Sequence, residues 1–145
     1  MESTPANAPE ENHAFPKGNG ELILMVDDEK SVLNMASIVF EMSGYKVITA
    51  SHAGQAFEAY EQQSKNISAV LLDLTMPIMD GIELSRRLVE IDPEVKIIVS
   101  SGQTTPDKEL ELRNLGVHHF LHKPYNASQL LKTMRDVISP QEAMA

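Results

Sequence analysis

Two rhythms of apolar residues alternate along this chain. Five short runs rich in branched side chains have the character of strands buried on both faces: Leu22–Val26, Lys46–Ala50, Ala69–Leu72, Val95–Val99 and His118–Leu121. Between them the apolar positions recur at helical spacing, and the ends are marked. The first helical stretch runs from about Glu29 to Ser43 and stops at Gly44, which suits a left-handed position just past a helix. The second follows Ser51 and runs towards Ser64. The third follows Asp80-Gly81 and ends by Ile91, where Pro93 blocks extension. The fourth opens on Thr105-Pro106, a capping hydroxyl followed by proline in the first turn, and ends at Gly116. The fifth has Asn126 and Gln129 in capping-box spacing and gathers Leu130, Leu131, Met134, Val137 and Ile138 on one face.

Strand and helix alternating five times predict an α/β fold, a parallel sheet wrapped by helices on both faces. Right-handed crossovers leave few arrangements, and the flavodoxin-like (βα)5 doubly wound sheet, strand order 2-1-3-4-5, is the natural one at this length. The fold is expected to occupy residues 21–139. Residues 1–20 carry three prolines, two glycines and one large apolar side chain, Phe15, and are expected to form a flexible leader. Residues 140–145 are expected to fray.

Composition narrows the chemistry. The chain has no cysteine, which removes disulfides, thiolate metal sites and thiol nucleophiles. Its longest apolar run, Leu22–Val26, is far short of the ~20 residues that span a bilayer, and nothing reads as a signal peptide. A cytoplasmic setting without membrane contact is therefore expected. The formal net charge is −9; Glu2, Glu10 and Glu11 against Lys17 account for −2, leaving −7 on residues 21–145. A surplus of acid opposes direct binding of nucleic acid, whose affinity rests on phosphate neutralisation.

Ligands of such sheets sit beyond the carboxyl ends of the strands, near the switch point between strands 1 and 3. The first strand runs into Asp27-Asp28, the third into Asp73, the fourth into Ser100 and the fifth towards Lys123. Taken singly, each has an ordinary explanation: a helix cap, a turn, a strand-end hydroxyl, a solvated lysine. Together they form a set. Converging carboxylates repel one another unless a cation neutralises them, and magnesium suits an all-oxygen site. A carboxylate can serve as nucleophile towards phosphorus, and an ammonium and a hydroxyl can spread the charge of a transferring phosphoryl group.

The stretches Met25-Val26-Asp27-Asp28-Glu29, Leu72-Asp73-Leu74-Thr75-Met76-Pro77-Ile78-Met79-Asp80-Gly81, Ile98-Val99-Ser100-Ser101-Gly102 and His122-Lys123-Pro124-Tyr125 resemble the response-regulator receiver family of two-component signalling, in order and over residues 21–138. The resemblance implies that Asp73 is the phosphoacceptor, that Asp28 with Asp27 binds Mg2+, and that Asp73 and the backbone carbonyl of Thr75 complete the protein's ligands. It implies that Ser100 hydrogen-bonds the phosphoryl group, that Lys123 pairs with it, and that the Lys123-Pro124 peptide is cis. Phe120 matches the aromatic switch position. Ser100 stands where threonine is commoner, Ser101 where alanine is, and Phe120 where tyrosine is.

The partners so implied are a sensor histidine kinase or histidine phosphotransfer protein as donor, and a downstream protein reading the face made by the fourth helix, fifth strand and fifth helix. Lys17-Gly18-Asn19-Gly20-Glu21 is similar to the linker ahead of receivers in hybrid sensor kinases, so a fragment of such a kinase and a stand-alone regulator both stay open. Two rivals fit less well. A phosphohydrolase of the haloacid-dehalogenase type wants a second acid two residues after its nucleophile, where this chain has Thr75. A flavodoxin-type cofactor module wants a phosphate-cradling loop after the first strand, where this chain has Asp27-Asp28-Glu29. His118, His119 and His122 lie on alternating faces of the fifth strand and are not expected to hold a metal, and most of the eight methionines are expected to fill the core.

Overall fold

The computed structural model describes residues 17–76 and 79–139. Its elements alternate as β1 (Leu22–Val26), α1 (Lys30–Met42), β2 (Lys46–Ala50), α2 (Ala53–Gln63), β3 (Ile67–Asp73), α3 (Gly81–Ile91), β4 (Ile97–Ser101), α4 (Pro106–Leu115), β5 (His119–His122) and α5 (Ala127–Ile138). The five strands form one parallel sheet in the order β2-β1-β3-β4-β5, the expected doubly wound arrangement.

Side-chain alternation in the central strands builds two cores. Ile23 and Met25 of β1, Ala69 and Leu71 of β3, and Ile98 of β4 point towards α1 and α5, where Leu33, Ala36, Phe40, Leu130, Leu131 and Met134 meet them. Leu24 and Val26, Val70 and Leu72, and Ile97 and Val99 point the other way, under α2, α3 and α4. Burial on both faces is why these strands read as unbroken apolar runs. Phe40 and Tyr45 meet edge to face at 5.6 Å, closing the base of the first core.

Helix ends follow the expected chemistry. Thr105 accepts from the Lys108 N–H, Gly116 sits at φ 102° past α4, and Asn126 with Gln129 forms a full capping box. His52 also caps a helix, its Nδ1 accepting from the Gln55 N–H at 3.2 Å. Histidine lies outside the usual capping residues, and α2 was expected to start only loosely after Ser51.

Three boundaries differ from expectation. β3 begins at Ile67, before Ala69. β4 spans Ile97–Ser101 where Val95–Val99 was expected, because Val95 closes a turn onto the Asp92 carbonyl and pairing starts only at the Lys96 carbonyl, which accepts from Val70. β5 is displaced by one residue, to His119–His122. At the amino end, Gly18 and Gly20 donate to the carbonyls of Ser43 and Gly44, so residues 17–20, grouped with the leader, lie against the turn after α1. The rest of the expected leader, Pro77-Ile78 and the carboxyl end lie outside the described residues. No described helix is long and apolar enough to cross a membrane.

Replacing Asn126 by alanine removes one half of the capping box at the start of α5, and should cost about 1 kcal/mol. Urea unfolding of Asn126→Ala should show a lowered midpoint with an unchanged denaturant slope.

Candidate functional site

Strand parity assembles the site. Asp27 continues the row of Ile23 and Met25, Asp73 the row of Ala69 and Leu71, Ser100 follows Ile98, and Lys123 follows Leu121, all on the sheet face that carries α1 and α5. Parallel strands bring their carboxyl ends to one edge, so these residues meet there. Carboxylate oxygens of Asp27, Asp28 and Asp73 all lie within 4.8 Å of one another, the one such acidic cluster among the described residues. Asp27 and Asp73 are buried and Asp28 is exposed.

Lys123 crosses the sheet edge from β5 to this cluster. Its Nζ donates to Asp27 Oδ2 at 2.8 Å and stands 3.6 Å from Asp73 Oδ1 and 3.9 Å from Glu29 Oε1. Asp27 Oδ1 accepts from the Glu29 N–H at 2.9 Å, so both its oxygens are engaged. Asp73 Oδ1 accepts from the Thr75 N–H at 3.3 Å. The Lys123-Pro124 peptide is cis.

Burial, and after it the Asp27 carboxylate, push the pKa of Asp73 upward against the pull of Lys123 and the Thr75 N–H. Burial alone would depress Lys123, but the hydrogen bond and charge of Asp27, with the charge of Asp73, outweigh it and raise its pKa. Tyr125, two residues on, is pushed up to about 12 chiefly by burial. One ammonium therefore stands among three carboxylates, an arrangement with negative charge to spare and oxygens suited to a divalent cation.

The other expected residues take less direct positions. The Ser100 hydroxyl is buried beside Asp73 in the ladder, but it donates to the Leu72 carbonyl at 3.4 Å. β4 also runs one residue past Ser100, to Ser101, which pairs with His122. Ser101 is buried and ties down the loop after β4: its hydroxyl bonds the Gln103 carbonyl and accepts from the Gln103 N–H. Phe120 is half-buried in the core beneath α4, with the Arg113 guanidinium carbon 4.9 Å from its ring centroid.

Three features escaped the sequence reasoning. Gly81 was taken only as a helix start, yet a Cβ there would lie 2.7 Å from Leu74 Cα and 2.8 Å from the Asp73 carbonyl oxygen. Its N–H also donates to the Leu74 carbonyl, so α3 presses on the backbone that carries Asp73. Most described methionines fill the core as expected, but Met35 and Met42 are 44% and 82% exposed on α1, along with Ile38. The helix spacing held the clue, since Leu33, Ala36 and Phe40 already fill the inward face. Finally, a cavity of about 310 Å3 lined by Val32, Met35, Pro124 and Tyr125 opens beside Lys123 and Glu29.

The family model of the response regulator receiver domain matches residues 23–135. The chain belongs to the response regulator receiver family. It is 31% identical to the chemotaxis protein CheY of Thermotoga maritima over 81% of its own length and 98% of that protein's. It is 36% identical to the transcriptional regulatory protein YesN of Bacillus subtilis, again over 81% of this chain, but spans only 32% of that longer relative. Among solved structures, the CheX-CheY-BeF3-Mg2+ complex from Borrelia burgdorferi contains a chain similar to this one, with a TM-score of 0.76 at 28% identity, covering 80% of this chain and 87% of the other. The receiver domain described here is thus a component of two-component signalling, in which receivers accept phosphoryl groups.

The raised pKa of Asp73 has a sign that stability can report. Below the ordinary aspartate range the carboxyl is protonated in both folded and unfolded chains, and burial costs little. As pH rises towards the elevated folded value the unfolded chain loses its proton first, and stability falls. Asp73→Asn removes that loss. In denaturant titrations without divalent cations it should be more stable than the unmodified protein at pH 7, and the difference should vanish near pH 3.

Proposed function

We propose that this receiver takes a phosphoryl group from the phosphohistidine of a sensor kinase or phosphotransfer protein onto Asp73, in a magnesium-dependent reaction, and signals through the face made by α4, β5 and α5. The observation that carries the reading is the convergence of Asp27, Asp28, Asp73 and Lys123 at one sheet edge. The Borrelia burgdorferi complex named above pairs a similar chain with beryllofluoride and magnesium, the former a mimic of an acyl phosphate.

In the transfer, an oxygen of Asp73 attacks phosphorus while the bond to the histidine nitrogen breaks, and the imidazole leaves with the electron pair. Thr75 and Lys123 hold Oδ1 of the carboxylate from two directions, which fixes its orientation for in-line attack. Lys123 lies near enough to exchange part of its hold on Asp27 for the incoming phosphoryl oxygens. Asp27, Asp28, Asp73 and the Thr75 carbonyl are the residues we assign to the metal. Magnesium bound there supplies neutralisation of the clustered carboxylates and of the phosphoryl charge. The Ser100 hydroxyl must turn from the Leu72 carbonyl to reach a phosphoryl oxygen on Asp73, the motion that links chemistry to the signalling face. The chain turns over no outside substrate; hydrolysis concerns only its own acyl phosphate.

Acetyl phosphate with magnesium should add one phosphoryl unit to the intact mass, labile to hydroxylamine and absent from Asp73→Asn. An adduct of equal yield in Asp73→Asn would move the acceptor elsewhere. Asp28→Ala should weaken magnesium binding at least tenfold by calorimetry, since it deletes both a ligand and a charge. An unchanged affinity would put the metal at another place. Ser100→Ala should still accept phosphate on Asp73 but show smaller amide shifts than the unmodified protein over residues 104–125 when beryllofluoride is added.

A further inference from the structure

α4 is the least firmly seated helix of the fold. Of its ten residues only Leu112 is buried, and Leu110 is 58% exposed. Polar contacts at its surface supplement the burial of Leu112. Arg86 of α3 reaches Glu111 of α4 at 2.9 Å, and Arg113, paired within α4 to Glu109 one turn back at 3.2 Å, lies over the Phe120 ring of β5 at 4.9 Å. Next to that ring is a cavity of about 150 Å3, whose lining includes Leu74, Ser101, Thr104, Phe120 and His122. The ring therefore stands between two attractions. Contact with Leu74, Val99 and Leu121 draws it towards that cavity on the phosphoacceptor side, and the guanidinium draws it to the rim.

We propose that Arg113 restrains Phe120 at the rim position, and that this cation–π contact sets the resting bias of the switch. The proposal rests on the function given above, and adds a residue that the phosphoryl chemistry does not touch. Glu109 fixes the guanidinium from behind, so the clasp is oriented before the ring moves. Any displacement of α4 carries Arg113 off the ring and frees it. Conversely, inward rotation of the ring ends its contact with Arg113 and loosens the tie between α4 and β5. The two motions are thereby coupled in both directions. Guanidinium suits the role better than ammonium, since its planar group stacks on an aromatic face and is more weakly hydrated. Arg113 is a positioning residue, and phosphoryl transfer to Asp73 needs nothing from it.

The test follows the ring itself. Fluorine placed on Phe120 and read by NMR, with the solvent isotope shift as the measure of exposure, gives the ratio of rim to inward positions. In unphosphorylated protein, Arg113→Gln should lower the ratio roughly two- to fivefold, the size of one partly exposed cation–π contact. Arg113→Lys should fall between, and phosphorylation yield on Asp73 should be the same in all three. A ratio in Arg113→Gln equal to that of the unmodified protein would overturn the proposal, as would a Lys variant as far displaced as the Gln variant. Beryllofluoride separates the two readings. If it fails to move the ring in the unmodified protein while Arg113→Gln moves it, phosphoryl-driven switching is wrong and the restraint stands.

Discussion

The ion pair between Lys123 and Asp27 is the contact on which the arrangement of the site depends. It joins the end of β5 to the end of β1, across the ends of β4 and β3 that lie between them in the sheet. Three carboxylates held so close would otherwise push the strand ends apart, and the ammonium is the one charge among the described residues that sits within reach of two of them. Because Asp27 is buried, the attraction between the two charges is screened less than in a surface pair of equal length, against the cost of desolvating them. The same ammonium also stands 3.6 Å from Asp73 Oδ1. The contacts of Asp27 and Asp73 thus draw on one cation, and neither can be altered without touching the other.

Much of this was legible in the sequence, for physical reasons. Strands buried on both faces leave no polar alternation, so β1, β3 and β4 stand out as apolar runs, and Asn126, Thr105 and Gly116 mark helix ends by the hydrogen bonds or backbone angle that only a few residues supply. The strand order followed from handedness. Asp27, Asp28, Asp73 and Lys123 could be found because parallel strands bring all their carboxyl ends to one edge.

The remainder was hidden by the limits of those same signals. Val95 is β-branched and partly buried, so it looks like a strand residue, yet it closes a turn. Composition cannot show which way the Ser100 hydroxyl turns, because a hydroxyl rotates to whatever acceptor the fold provides, here the Leu72 carbonyl. Met35 and Met42 face outward because α1 has only one inward face and Leu33, Ala36 and Phe40 occupy it. Arg113 and Phe120 belong to different elements, and no periodicity pairs them.

Gly81 gives the site a mechanical asymmetry. With no side chain between them, α3 and the end of β3 are in backbone contact, and a shift of Asp73 on that side would have to drag a whole helix with its buried Leu84 and Leu88. Next to α3 on the same face of the sheet, past β4, lie a loop tied by Ser101 and α4, a helix with one buried residue. The end of β3 is thus clamped to a well-seated helix whose neighbour is loosely seated. Rigidity at this edge of the sheet is therefore uneven: the backbone that carries Asp73 is braced by α3, and the helix with the least buried surface lies one place further on.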